Sequence, residues 1–188
     1  FPDAVEKEAN TLAEGGVADA AEIAKRRDFR SIPTFTIDPV DAKDFDDALS
    51  VQTLPNGDVE VGVHIADVAH YVRRGTALDT EARTRGTSIY LVDRTVPMLP
   101  EALSNDLCSL KPDVDRLVFS AVFTMDSDAR IKAHWFGKGV IHSAKRFTYQ
   151  SAQDVLDAGA GAHHTELSLL ATLGLKLRAV RTKNGALE

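Results

Sequence analysis

The sequence predicts an α+β fold, a mixed and largely antiparallel sheet with flanking helices. Three observations carry that expectation. Helix-like segments stand at both ends with strand-like segments between them, the order of a segregated α+β domain. Leu54-Pro55-Asn56-Gly57 joins two strand-like runs through Asn-Gly, the strongest short-range hairpin signal. Over residues 116–125, Leu117, Phe119, Ala121 and Phe123 alternate with Val118, Ser120, Val122 and Thr124, which is the period of a strand.

Taken in order, residues 3–13 predict a helix capped by Asp3, with Val5, Ala9 and Leu12 at helical spacing. Gly15-Gly16 breaks it, and the Ala-rich, charged residues 18–27 predict a second helix. Thr34-Phe35-Thr36-Ile37 alternates as a half-buried strand does, and residues 45–53 and 58–66 are the two arms of the hairpin. Residues 77–85 suit a helix stopped by Gly86, and 88–92 a strand. Pro97 and Pro100 keep 96–100 extended, because each proline pushes its predecessor out of the α region. Asp126-Ser127-Asp128 turns the chain into a returning strand over 131–143. Ser151 with Asp154 reads as a capping box for a short helix that Gly159 to Gly161 ends. Residues 165–183 are the longest helix, with Leu167, Leu170, Ala171, Leu177 and Val180 on roughly one side.

The 188 residues carry 22 Lys+Arg against 28 Asp+Glu and are 44% hydrophobic. That is enough apolar content for a folded domain with its own core, and too much for a disordered chain. No apolar run reaches the roughly 18 residues of a membrane-spanning helix. Cys108 is the lone cysteine, which excludes an internal disulfide and a cysteine-based zinc site and fits a reducing, cytoplasmic setting. A net charge of −6 argues against a stand-alone nucleic-acid binder, since neutralising phosphates takes Lys and Arg. Phe1-Pro2-Asp3 has neither an initiator Met nor a signal pattern, so the chain is expected to be a piece of a longer protein.

The most informative segment runs Asp38-Pro39-Val40-Asp41-Ala42-Lys43-Asp44-Phe45-Asp46-Asp47, five carboxylates against one lysine, a local charge of −4. Crowded anions cost free energy unless a cation sits among them. Oxygen-only donors suit a hard divalent ion such as Mg²⁺, or alternatively Mn²⁺. The bland alternative is a solvated acidic loop. Phe45, Ala48 and Leu49 count against it, because they carry the segment into a core and leave the acids at its edge. On a regular strand Asp44 and Asp46 would face one side and Asp47 the other. Either the strand starts irregularly, or one of them acts behind the others. A second cluster, Arg83-Thr84-Arg85-Gly86-Thr87-Ser88-Ile89-Tyr90, combines basic and hydroxyl groups with an aromatic face. Such groups hold phosphates and stack on bases, although a strand tyrosine is more often a packing residue. Asp67 reads as a cap, His64 and His70 as packing or surface residues, and Cys108 as a small buried hydrophobe. His163-His164 falls in a polar loop, and Arg146 suits either an RNA contact or a structural salt bridge.

Thr36-Ile37-Asp38-Pro39 through Asp44-Phe45-Asp46-Asp47-Ala48-Leu49 resembles the signature of the RNase II/RNase R (RNB) family of exoribonucleases. So do Gly62-Val63-His64-Ile65-Ala66-Asp67-Val68, Arg85-Gly86-Thr87-Ser88-Ile89-Tyr90, Pro97-Met98-Leu99-Pro100 and Leu103-Ser104-Asn105-Asp106-Leu107-Cys108-Ser109-Leu110. The order agrees, and the wording is closest to the RNase R branch. The resemblance begins at about Arg26 and implies the N-terminal portion of an RNB-type catalytic domain over 26–188, which leaves 1–25 as a helical lead-in. It implies Mg²⁺-dependent, processive hydrolysis of single-stranded RNA from the 3′ end, releasing 5′-nucleoside monophosphates. Asp38, Asp44, Asp46 and Asp47 match the family's four catalytic, metal-binding aspartates, and Tyr90 the tyrosine against the 3′-terminal nucleotide. Asp41 is additional to that pattern, so the resemblance assigns it no catalytic role. The remainder of the catalytic domain and the cold-shock and S1 modules are absent from this sequence. The chain is therefore expected to expose an apolar face and to be weak or inactive alone. Two alternatives stay open: a non-catalytic RNA-binding or scaffolding relative, and an unrelated metal-binding module.

Overall fold

In the computed structural model, which describes residues 1–186, the strands in chain order are β1 (Arg27–Asp28), β2 (Thr34–Asp38), β3 (Asp47–Thr53), β4 (Val59–Ala66), β5 (Ile89–Tyr90), β6 (Thr95–Val96), β7 (Asp115–Met125), β8 (Ile131–His142) and β9 (Lys145–Thr148). The helices are α1 (Asp3–Glu14), α2 (Ala20–Ile23), α3 (Val68–Tyr71), α4 (Ala77–Arg85), α5 (Tyr149–Ala158) and α6 (His164–Lys183), with a π-helical turn at Leu103–Leu107. Seven strands form one sheet in the order β1-β8-β7-β4-β3-β2-β9, and β5 and β6 form a separate hairpin. Among the described residues, the strand pairs β1–β8 and β2–β9 are parallel and the other strand pairs antiparallel. The sheet is thus mixed and largely antiparallel, as the sequence predicts. Among the described residues no helix is long and apolar enough to cross a membrane.

Several local expectations change. Asp3 lies inside α1 and Pro2 takes the N-cap position without a side-chain bond. The second helix shrinks to one turn, α2, because Asp19 caps it through Glu22 N and Arg27 is drawn into β1 beside Gly139. The capping box at α5 is formed by Thr148 and Ser151, one turn earlier than Ser151 and Asp154. The strand expected over 45–53 begins at Asp47, and that over 88–92 holds only Ile89–Tyr90. The strand β9 and the π-helical turn carry no clear period, so the sequence did not announce them. The Asn-Gly turn forms as expected: Leu54 N donates to Asp58 O at 2.8 Å, and Gly57 takes the positive φ of 84° that glycine tolerates without strain.

The two faces of the sheet differ. One is sealed: Ala48, Ala66, Val118 and Val122 pack with α1, α4 and the π-helical turn in the main core. On the other, Leu169, Leu170 and Leu173 of α6 cover Val51, Val59 and Val61. Farther across that face Ile65, Phe119 and Phe136 stay exposed. The period-two alternation of β7 is real, yet here its aromatic side faces outward. Along α6 only Leu167 and Leu173 are buried, whereas Leu177 and Val180 of the expected stripe are exposed. An apolar stretch of this face is open, as the sequence predicts.

The sealed side contains a polar inclusion. His64 has no exposed surface, and its Nδ1 and Nε2 each lie 2.8 Å from a serine hydroxyl, of Ser120 and Ser50. Gly62 makes room for this: a Cβ there would sit 2.4 Å from Ser50 Oγ and 2.6 Å from His64 Nε2. Burial first, and the nearby Arg27 next, push the His64 imidazole down to about 4. The unfolded chain would take up a proton near pH 6.5 that the folded chain refuses until about 4. Stability is therefore full above pH 6.5 and falls toward pH 4, with a slope of up to about 1.4 kcal/mol per pH unit. Urea unfolding between these limits checks this. His64→Gln should flatten the slope, and an unchanged slope would place the titration elsewhere.

Candidate functional site

The acidic segment sits at one end of the sheet, where β2 leaves and antiparallel β3 enters. Asp38 is the last residue of β2, buried beside Thr148 of β9, and Asp47 is the first of β3. Residues 39–46 link them outside the ladder, so the strand starts irregularly, which is one of the two options the spacing left open. This link is anchored at several points. Arg146 donates to the carbonyls of Pro39 and Val40, the latter at 3.0 Å. The Ser109 hydroxyl donates to Lys43 O at 2.8 Å and accepts from Phe45 N at 3.0 Å. Leu110 N donates to Phe45 O, and Ala66 N to Asp46 O. Ser109 is fully buried, so one hydroxyl fixes the peptide units on both sides of Asp44.

Asp38, Asp44, Asp46, Asp47 and Tyr90 all line one cleft of about 680 Å³. Tyr90 is two-thirds exposed, and its hydroxyl donates to Asp44 Oδ2 at 3.0 Å. That bond, then loss of water, raises the Tyr90 phenol above its ordinary value. Burial raises the Asp38 carboxyl, Asp47 and Asp44 add to the rise, and Thr36 and Arg146 oppose it. The Thr36 hydroxyl lies near enough to matter electrostatically, yet neither Thr36 Oγ1 nor Asp38 Oδ2 completes a hydrogen bond, and both are buried. The Asp46 carboxyl is raised as well, by loss of water and by Asp44, Asp47 and Asp38. The Asp46 side chain nonetheless stays exposed to water.

These features fit a hard divalent cation: all donors are oxygen, one buried carboxylate oxygen lacks a partner, and two acids are destabilised as anions. Among the described residues, however, no three His, Cys, Asp or Glu side chains stand close enough together to hold an ion as they are placed. Like charges separate when nothing offsets them. The backbone thus gathers the aspartates into one cleft without converging their oxygens on a point.

Asp41, set aside from the sequence, also lines the cleft, as do Glu101 and Asn105 near the π-helical turn. Ser109 escaped notice because a buried serine has no distinctive spacing; its signal was its place in the Leu103–Leu110 motif. Among the described residues Arg146 forms no salt bridge; its bonds go to the backbone carbonyls of Pro39 and Val40. Asp67 sits at the N-cap of α3 without a capping bond and pairs instead with the buried Arg26 at 2.8 Å. His163 is not in a polar loop but packs beside Phe35 and Phe147 ahead of α6. Cys108 is buried as expected, its thiol pushed up to about 12 by loss of water.

Comparison with known proteins decides the family. The family model described as RNB domain matches residues 26–188. The chain belongs to the RNB domain family. It is 42% identical over 192 residues to Ribonuclease R of Thermotoga maritima, covering 100% of this chain and 27% of that one. It is 42% identical over 183 residues to a protein of Arabidopsis thaliana named inactive exonuclease DIS3L2, covering 89% of this chain and 17% of that one. The structure of Mycoplasma genitalium RNase R with ribose-methylated single-stranded RNA superposes on it with a TM-score of 0.91 and 37% identity, over 100% of this chain and 30% of that one. This RNB chain therefore spans under a third of each of these relatives.

Two substitutions test the site's mechanics in opposite directions. Ser109→Ala strands a carbonyl and an amide of the acidic link, and is expected to destabilise by about 1–3 kcal/mol. Asp46→Asn should do the reverse at pH 7. A carboxyl whose pKa is raised by folding loses stability as pH climbs through that pKa, and the amide escapes this. Because Asp46 is exposed and water screens the repulsion, thermal unfolding at pH 7 should show only a small rise in melting temperature. A fall for Asp46→Asn would contradict the repulsion described here.

Proposed function

We propose that this chain is the acidic half of the active centre of a 3′-exoribonuclease, which hydrolyses single-stranded RNA processively to 5′-nucleoside monophosphates. The observation that carries this reading is the meeting of four aspartates and Tyr90 in one cleft, with the Asp38 and Asp46 carboxyls raised by loss of water and mutual repulsion. Asp38, Asp44, Asp46 and Asp47 would hold Mg²⁺, or Mn²⁺ in its place. Such ions supply charge neutralisation and a more acidic water to phosphodiester hydrolysis. Tyr90, exposed at the cleft, stacks on the terminal base, which is worth about 1–3 kcal/mol and tolerates any sequence. Water adds at the terminal phosphorus and the P–O3′ bond breaks. The released nucleotide keeps the 5′-phosphate, and the shortened RNA regains a 3′-hydroxyl.

On this reading the remainder of the catalytic domain and cold-shock and S1 modules would supply the positive surface that this acidic chain lacks. RNA is a polyanion, and a chain of net charge −6 cannot grip its backbone unaided. We expect weak or no turnover from residues 1–188 alone, and cytoplasmic work on RNA by the whole protein.

The test uses the full-length protein with radiolabelled single-stranded RNA and Mg²⁺. Mononucleotides should accumulate from the 3′ end, and Asp46→Asn should lower kcat by roughly 10²–10³-fold while RNA binding in Ca²⁺ persists. Separately, Mg²⁺ or Mn²⁺ should raise the melting temperature of the parent protein and not of Asp46→Asn. The competing reading, an RNA-binding relative without turnover, has a named precedent in the inactive relative. It requires no mononucleotide release from the parent and no effect of Asp46→Asn.

A further inference from the structure

Residues 1–25 lie outside the matched family region, yet they pack into the same core. The helix α1 buries Val5 and Ala9, and Glu8 Oε2 accepts from Leu78 N at the start of α4. Tyr71 OH donates to Val17 O at 2.8 Å. The contact that matters for the cleft is at the other end of α4. The Arg85 guanidinium lies 3.7 Å from the centre of the Phe1 ring. Its Nε donates to Glu81 Oε1 at 2.8 Å and its Nη1 to Pro97 O at 3.1 Å. Met98 N then donates to Ser88 Oγ at 2.9 Å, which closes the base of the β5–β6 hairpin. At the far side of that hairpin Tyr90 reaches Asp44.

The hairpin has little else to hold it. Ile89, Leu91 and Val92 are exposed, and its two strands are two residues each. A two-stranded ribbon this short is not stable by itself. Its orientation must come from its base, and Arg85 is the group that ties that base to α4 and to Phe1. The guanidinium is three-quarters shielded, which strengthens its attraction to the ring face relative to an exposed pair.

We propose that Phe1 and Arg85 are positioning residues for Tyr90: the lead-in segment clamps the hairpin so that the tyrosine is held over the acidic cleft. The proposal rests on the reading that Tyr90 receives the RNA terminus, and its test separates the two. In the full-length protein, Phe1→Leu should speed amide exchange across residues 88–98 by roughly 3- to 10-fold while β7 exchanges as before. Arg85→Lys, which keeps the charge but loses the fork, should do the same. The specificity constant kcat/KM on single-stranded RNA should fall by a similar factor. Phe1→Tyr, which keeps the aromatic face, should restore both readouts. With Tyr90→Ala already present, Phe1→Leu should cost no further kcat/KM, since coupled residues do not add. Unchanged exchange at 88–98 would overturn the clamp. An equal loss of kcat/KM in both backgrounds would overturn its link to Tyr90. A parent protein with no nuclease activity would sink the functional reading, and the exchange measurement would still decide the clamp.

Discussion

Four carboxylates at one end of a sheet repel one another, and nothing in their own sequence keeps them together. What holds them is backbone. Asp38 is placed by pairing of β2 with β9 and Asp47 by pairing of β3 with β4, and Asp44 and Asp46 by the bonds of Ser109, Leu110, Ala66 and Arg146 to the link between the strands. Loss of water first, and that repulsion next, raise the carboxyl pKa values of Asp38 and Asp46. A fold that stores unfavourable charge at one place is ready for a ligand that removes it.

The layers around the cleft follow from that requirement. The sealed face of the sheet supplies rigidity through a dense core, and even its polar inclusion at His64 is satisfied on both nitrogens. The π-helical turn after Pro100 does two jobs. It buries Leu103 and Leu107 in the core, and it delivers Ser109 to the acidic link. Arg116 holds that turn in place by donating to Ser109 O at 2.8 Å and Asp106 O at 3.2 Å. Irregular helical turns of this kind are common beside functional sites, because they re-aim a side chain that a regular turn would misplace. The opposite face, with Phe119, Phe136 and half of α6 exposed, has the character of an interior surface. It accords with a chain that spans under a third of each relative compared with it.

The lead-in segment belongs to the same mechanical system. Arg26, the first residue of the matched family region, has no exposed side-chain surface and pairs with Asp67 and with Glu22 of the lead-in, each at 2.8 Å. A buried charge of this kind is tolerated only when its partners are fixed. Here the partners tie α2 to the end of β4, so the N-terminal segment and the sheet are joined at a point where slippage would strand a charge.

Much of this protein was legible without coordinates. Hydrophobic period and turn chemistry are local properties, so the hairpin at Asn56-Gly57, the long strands β7 and β8, and helices α1, α4 and α6 could be read from neighbours in the chain. The acidic cluster and Tyr90 were legible for a different reason: their residue types are costly or informative wherever they occur, and their wording matched a family. Only the tertiary structure decided that Asp44 and Asp46 precede the strand, that Ser109 from a distant segment brackets Asp44, and that Arg146 grips backbone carbonyls. It also decided which face of β7 is covered, and that Phe1 reaches Arg85. These are contacts between residues far apart in sequence, selected by how whole elements pack, and no periodicity within one segment encodes them.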